Sequence, residues 1–432
     1  MAENCDNRAV AAQRPQTYAA ARRPCKDAPV TDAGWPPHTY VTRPYRQRIP
    51  RGPRADRLLR EVTVAMPARI AELEVPLERP VAAMTTASAG ALRHLDLVHG
   101  RTMAGLNHLQ LRTEAIDSSK IEHVEASLAD YGRALLGIGA NASAVSMASA
   151  TQAMERLIRE ADTTRKITSD AILQAHRDLF ARDPDEAAGA GRFRTVQNWV
   201  GGSDYAPRDA LHVPPPPETV LGHIEDMVAF ANRDDLSPIA QAAIVHAQFE
   251  SIHPFIDGNG RIGRALIHAV LRRRRASRHL AVPIASALVS HRDRYFAALN
   301  DYRAGSVATI VAMLAASTTI ATTESWKTAE TLESVRASWG EAAGGPRPGS
   351  AAYRLLDLLT EEPILNARLV TERLGIEDPE ATIDALERAG VLTRARRTRR
   401  SPVWIAPAVL AEVEDLSARI QLQARQLPYG PR

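Results

Sequence analysis

From about residue 80 to residue 340 the chain keeps its apolar residues at helical spacing, with a single long interruption. The pattern predicts helices near 80–98, 101–135, 144–162, 169–182, 217–232, 237–252, 259–275, 288–303 and 305–338. Helices with one apolar stripe are stable only when packed against one another, so the fold class is mainly α, a helical bundle. Start signals agree with the pattern. Thr168-Ser169-Asp170 precedes an amphipathic run, and Ser237-Pro238 sets a capping residue before a proline at the first helical position. The interruption, Gly191 to Pro217, contains a Gly-Gly-Ser-Asp turn flanked by Val196, Trp199 and Val200 and closes on a proline run. It reads as a short β-hairpin or flap inserted among helices.

Residues 1–50 are rich in Pro, Ala and Arg without periodicity and read as a flexible arm. Residues 51–165 read as an N-terminal helical subdomain, 166–339 as a core, 340–350 as a linker and 351–432 as a compact C-terminal unit. In that last unit a helix, a helix–turn–helix and a basic hairpin follow in the order of a winged helix.

Charge and cysteine content narrow the function classes. The chain carries 54 Lys+Arg against 50 Asp+Glu, but the first sixty residues hold twelve of the former and five of the latter, a net +7. The remaining body is slightly acidic and is not a nucleic-acid-coating protein. Cys5 and Cys25 are the only cysteines, so neither a disulfide scaffold nor a cysteine-rich zinc site is available, and a reducing cytoplasm is expected. The N-terminus has no apolar signal-peptide core. The longest uncharged run, Ala304 to Thr323, includes seven Ser/Thr and reads as a buried bundle helix, so no membrane role is expected.

The segment His253-Pro254-Phe255-Ile256-Asp257-Gly258-Asn259-Gly260-Arg261-Ile262-Gly263-Arg264 carries the chemistry. Asp257 is a hard oxygen ligand suited to Mg²⁺ beside phosphates. Gly258-Asn259-Gly260 lets backbone approach an anion at the start of a helix, which makes a phosphate cradle. Arg261 and Arg264, three apart, share a helix face and can grip a polyphosphate together. His253 sits just before the loop, and a histidine's unperturbed pKa of about 6.5 suits a general base near neutrality. Together these residues describe phosphoryl or nucleotidyl transfer. His176 and His246 lie in apolar helices and read as core or supporting histidines.

This segment resembles the Fic-family signature HPFx(D/E)GNGRxxR at every fixed position, and the resemblance extends from roughly residue 50 to residue 330. The resemblance implies a helical protein that transfers AMP from ATP to a Ser, Thr or Tyr hydroxyl of a protein target. It implies that His253 takes the hydroxyl proton, that Asp257 holds Mg²⁺ and that Gly258, Asn259 and Gly260 form the anion hole. Arg261 and Arg264 would steady the outer phosphates, and Phe255 would anchor the loop in the core. It also implies that the flap, here Val196, Trp199, Val200 and Gly201 within 196–203, holds the target as an added strand.

Ser118-Ser119-Lys120-Ile121-Glu122-His123 is similar to the family's inhibitory pattern (S/T)xxxE(G/N). By that likeness Glu122 pairs with Arg264, displaces the γ-phosphate and misplaces the α-phosphate for attack, while Ser118 supports Glu122 by hydrogen bonding. His123 stands where the pattern has Gly or Asn. Family members also carry a Tyr followed eight residues later by Asn near the adenine. Tyr295 fits, but Arg303 occupies the second position, which leaves another nucleotide or another transferred group open.

Arg394, Arg396, Arg397, Arg399 and Arg400 would form a wing able to meet DNA phosphates, while residues 351–390 carry nine Asp/Glu and four Arg/Lys. Packing or dimerisation is therefore as good a reading of this unit as DNA binding. The leading expectation is a self-inhibited protein adenylyltransferase with a protein target, with self-modification and homo-oligomers left open. The alternatives are a DNA-binding regulator whose Fic domain senses nucleotide or modifies only itself, and a Fic phosphotransferase or AMP-removing enzyme.

Overall fold

The computed structural model describes residues 34–47, 51–101, 103–183, 186–395 and 402–426. It opens on β1 (Thr39–Pro44), the short helix α1 (Arg54–Arg57) and β2 (Glu61–Met66). The two strands pair antiparallel, from Thr39 opposite Met66 to Pro44 opposite Glu61. The arm expected over 1–50 therefore ends in ordered structure. Trp35 supplies the reason, being 3% exposed and packed against Phe230 and Tyr302. Val62 and Val64 share one face of β2 and are buried as well, so the hairpin has one apolar side to hide.

The bundle follows as α2 (Arg79–His99), α3 (Ala104–Ile121), α4 (Leu128–Leu135), α5 (Ala142–Thr164), α6 (Ser169–Phe180) and α7 (Val220–Ala231). It continues through α8 (Pro238–Ile252), α9 (Asn259–Arg273), α10 (Ile284–Ser290), α11 (Arg292–Arg303) and α12 (Ala308–Ala342). Thr168 caps α6, its hydroxyl accepting from the Ala171 amide at 3.1 Å, and Pro238 opens α8 as expected. The helix predicted over 288–303 begins earlier, at Ile284, and is divided at His291. The uncharged run lies mostly in α12, buried against α2 and α8. Among the described residues no helix is long and apolar enough to cross a membrane.

The single helix predicted over 101–135 breaks after Ile121, and the break has a clear cause. The His123 amide donates to the Lys120 carbonyl at 2.9 Å and the Val124 amide to the Ser119 carbonyl at 3.0 Å. This doubly bonded terminus leaves Glu122 as the last helix-bounding residue and puts His123 at φ 60°. Left-handed backbone favours Gly or Asn, and the exposed His123 bears that strain instead. Relieving it with His123→Gly should stabilise the protein by about 1 kcal/mol, read as a higher melting temperature. A lower one would mean that the imidazole packs usefully.

Helix α3 is buried on every side despite its polar residues, and this is what fixes its register. Glu114 Oε1 lies 2.9 Å from His268 Nε2, and its Oε2 accepts from the Ala285 amide at 2.7 Å. Asp117 accepts from Ser286 Oγ at 2.5 Å, Ser417 Oγ at 2.6 Å and Lys120 Nζ at 2.8 Å. Buried carboxylates left unpaired would be strongly destabilising, so α3 fits its slot in one position only.

The C-terminal unit comprises α13 (Ala351–Glu361), β3 (Ile364–Leu365), α14 (Ala367–Leu374), α15 (Glu380–Arg388), β4 (Thr393–Arg394), β5 (Trp404–Ile405) and α16 (Pro407–Gln426). Its three strands are ordered β3-β5-β4. Helices α13, α14 and α15 precede the antiparallel pair β4–β5, with β3 and the long α16 besides. This unit packs directly on the bundle: α16 lies on α3, α10 and α12, and Arg112 bonds Glu362 Oε2 at 2.5 Å and the Glu361 carbonyl. Of the expected wing arginines, Arg394 lies over the Trp404 ring at 5.2 Å, while Arg396, Arg397, Arg399 and Arg400 fall outside the described residues.

Candidate active site

Helices α8 and α9 form the centre of the bundle, and the loop between them holds the signature. Gly263 keeps α9 bare where it meets α8, since a Cβ there would meet Glu250, His246 and Phe249. His253 ends α8 with φ 47°, and Gly258 precedes α9 with φ 78°. A Cβ at Gly258 would meet Leu179 and Phe180, so this turn needs glycine both for its backbone and for its space.

The loop is braced from within. Asn259 Oδ1 accepts from the Phe255 amide at 2.8 Å and its Nδ2 donates to the Phe255 carbonyl at 2.9 Å. Phe255 is fully buried and stacked on His176 at 3.7 Å, the anchoring role expected of it. His176 accepts the Gly191 amide at Nδ1, which leaves Nε2–H to donate to the Asp257 carbonyl at 3.1 Å. The supporting role read for His176 is thus visible.

The segment 191–198 braces the same loop from outside. Arg194 Nε donates to the His253 carbonyl at 2.9 Å, its amide donates to the Pro254 carbonyl, and its Nη2 reaches the Pro215 carbonyl at 2.5 Å. Asn198 Nδ2 donates to the Phe255 carbonyl at 2.7 Å. Neither residue stands out in the sequence, because some sixty positions separate each from the loop it holds.

Beyond Asn198 the expected β-hairpin is a loop with one antiparallel bridge, Val200 to His212. Gly201 and Gly202 both take left-handed backbone at the turn. Toward the base the ladder stops because Pro214 to Pro217 have no N–H to give, and at the tip Ser203 Oγ and Arg208 Nε both turn to the buried Asp56, each at 2.5 Å. Trp199 Nε1 donates to the Ser203 carbonyl at 2.8 Å, and Val196 is half-buried.

Gly258, Asn259 and Gly260 form the start of α9, where a helix leaves its first backbone N–H groups without intrahelical partners. Arg261 and Arg264 lie on one face of α9. Arg261 Nη1 donates to Ser146 Oγ at 2.7 Å, and its Nη2 lies 3.7 Å from Asp257 Oδ1. The Asp257 side chain is 61% exposed, and its Oδ1 accepts from the Gly258 amide at 2.5 Å.

Arg264 is almost wholly buried and fully engaged. Its Nε donates to Ser118 Oγ at 2.8 Å, and its Nη2 donates to the Ser118 carbonyl and to Glu122 Oε1, both at 2.8 Å. Ser118 thus supports the arginine rather than Glu122, a correction to its expected role. Burial pushes the Glu122 carboxyl up, but the Arg264 charge and hydrogen bond win and hold it below its ordinary value. Gly260 permits the approach, since a Cβ there would overlap the Glu122 carboxylate.

The His253 imidazole is 18% exposed. Burial, with the Arg194 and Arg303 cations beside it, holds its pKa down at about 3, so the ring is neutral near pH 7. Tyr295 is not offered to a ligand: it is 1% exposed, its hydroxyl hydrogen-bonds with His246 Nε2 at 2.8 Å, and the two rings stack. Arg303, which replaces the family's Asn, donates to Asn300 Oδ1 at 2.7 Å.

Residues 166–271 match the Fic/DOC family, so the chain carries a Fic/DOC domain. Among curated relatives, it is 32% identical over 154 residues to protein adenylyltransferase fic-1 of Caenorhabditis elegans, covering 35% of this chain and 27% of that protein. It is 38% identical over 112 residues to protein adenylyltransferase Fic of Drosophila willistoni, covering 25% and 20%. The chain thus spans less than a third of the length of these relatives. Among solved structures, a Fic family protein from Desulfovibrio desulfuricans G20 superposes with TM-score 0.47 at 19% identity, over 76% of this chain and 97% of that one. Fic-1 from C. elegans superposes with TM-score 0.46 at 22% identity, over 58% and 73%.

Proposed function

We propose that this protein transfers AMP from ATP to a hydroxyl side chain of a protein, and that Glu122 restrains the reaction by occupying Arg264. The observation that carries this reading is the placement of His253 at the end of α8, in the loop that opens the α9 N-terminus, with Arg261 and Arg264 in the first turns of α9. A target hydroxyl placed at His253 gives its proton to the imidazole as its oxygen bonds to the α-phosphorus of ATP. The bond from that phosphorus to the β-bridging oxygen breaks, and pyrophosphate leaves. The α9 N-terminus and Arg261 stabilise the charge that develops on the phosphate oxygens. The flap loop 196–203, with only one bridge, leaves strand edge for an extended target segment.

Asp257 fits the Mg²⁺ that such chemistry uses. Its carboxylate is exposed beside Arg261, and one protein carboxylate with substrate phosphates is an ordinary Mg²⁺ set. Bound there, the ion would neutralise phosphate charge. Asp257→Ala should shift the Mg²⁺ dependence of turnover upward by about tenfold or more, and an unchanged titration would remove Asp257 from the site.

The C-terminal unit supports packing better than DNA binding. The face of α15 carries Glu380, Asp384 and Glu387, and Trp404 Nε1 donates to Glu387 Oε2 at 2.9 Å. We read residues 351–426 as a winged helix that buttresses α3.

The reading is tested on the Glu122→Gly protein with Mg²⁺, ATP and a mixture of candidate proteins, by intact-mass analysis. Addition of one AMP to the chain itself or to a target is expected. ATP binding without any mass change would favour a nucleotide-sensing regulator.

A further inference from the structure

One buried ionisable group close to His253 has no role in the chemistry above. Glu250 lies one turn before His253 on α8 and is 7% exposed. Its Oε1 has no hydrogen-bond partner among the described residues, and neither has His253 Nδ1. Its Oε2 lies 3.8 Å from that same Nδ1. The unpartnered Nδ1 thus faces the Glu250 carboxyl through Oε2, less than about 1 Å beyond hydrogen-bond reach. Gly263 on α9 makes the room, since a Cβ there would stand 2.6 Å from Glu250 Oε1.

Arg194 fixes the His253 backbone through its carbonyl, but among the described residues no other side chain holds the ring. A base on a rotatable bond is effective only if its ring is turned and its tautomer set. The imidazolium formed when it accepts a proton would also stand between Arg194 and Arg303, and it needs a compensating acceptor. Glu250 is the carboxyl placed to supply both.

We propose that Glu250 is the positioning residue for His253, accepting Nδ1–H and so leaving Nε2 bare to take the target's hydroxyl proton. This rests on the transfer reading above. In the step itself the hydroxyl proton passes to Nε2, and the hydroxyl oxygen bonds to the α-phosphorus. The bond to the pyrophosphate breaks, and the Nδ1 proton stays between His253 and Glu250. Burial raises the Glu250 carboxyl to about 7, with Arg264 opposing, which agrees with a group short of partners in the resting protein.

The test uses the full chain carrying Glu122→Gly, alone and with Glu250→Ala or Glu250→Gln, and ¹⁵N-labelled histidine assigned with a His253→Gln spectrum. Glu250→Ala should lower kcat by roughly a hundredfold with KM for ATP unchanged. Glu250→Gln, which keeps an oxygen acceptor, should recover most of that loss. The His253 ¹⁵N shifts should report Nδ1–H in the parent and a mixture of tautomers in Glu250→Ala. Equal activity in all three proteins, or an unchanged tautomer in Glu250→Ala, would overturn the proposal. Should Glu250→Ala melt below assay temperature, the parent spectrum decides: an Nε2–H tautomer there refutes it. Should the parent transfer nothing at all, the transfer reading fails separately, and the ¹⁵N spectra still decide the role of Glu250.

Discussion

His253→Ala is expected to reduce AMP transfer by roughly 10²–10⁴-fold, the range that removal of a general base costs, while the protein keeps its fold. The expectation follows from how the residue is held. Its backbone is fixed by Arg194, which bonds the His253 carbonyl rather than the ring. Phe255, Asn259 and His176 brace the loop without it. Removing the ring therefore takes away a proton acceptor and leaves the cradle standing. The measurement is the transfer rate in a Glu122→Gly background, with a thermal melt of the same sample. Loss of transfer at an unchanged melting temperature would support the assignment, and retained transfer would end it. The neutral ring has a further consequence. With its pKa held down at about 3, the imidazole stays unprotonated well below pH 6.5, so the acid limb of the rate profile should not fall at the ordinary histidine value.

Glu122→Gly should raise transfer by roughly tenfold to a hundredfold, the usual range for a coupling between two states of a site. Arg264 has three hydrogen bonds in the resting protein, and one goes to the Glu122 carboxylate. An incoming phosphate must compete for that guanidinium with an anion already seated on it. Glu122 bounds α3 at its C-terminus, so its removal leaves the Glu114 and Asp117 anchors of that helix untouched. The two bonds from Arg264 to Ser118 also survive, so the arginine stays in place while its third donor becomes free. Initial rates at limiting and saturating ATP are the readout, and the gain should be largest when ATP is limiting. No change, or a loss, would make Glu122 a helix terminus and nothing more.

Much of this site is legible in the sequence because its parts are contiguous. His253 to Arg264 is twelve residues in which every fixed role is a local matter of loop, turn and helix start. The partnership of Glu122 with Arg264 is reachable only by resemblance, since 142 positions separate the two. The reason for a Gly or Asn after the inhibitory Glu becomes visible only in backbone angles: the position is left-handed, and His123 occupies it at φ 60°.

What stays hidden is tertiary. Arg194 and Asn198 act on carbonyls, which leave no trace in side-chain pattern. Glu250 sits inside a helix that reads as ordinary core. Asp56 looks like one more surface charge until the hairpin buries it against Ser203 and Arg208. The turn residues of the flap point to a hairpin, but the prolines that close it also starve its ladder of donors. Trp35 shows the opposite case: one large aromatic in a polar arm is enough to anchor a strand.

The most direct measurement follows label from ATP into protein, using the Glu122→Gly chain with Mg²⁺ and ATP labelled at either the α- or the γ-phosphate. Covalent label from the α-phosphate alone, lost with His253→Ala, is the predicted result. Label from the γ-phosphate would make the protein a phosphotransferase, and would contradict AMP transfer through His253.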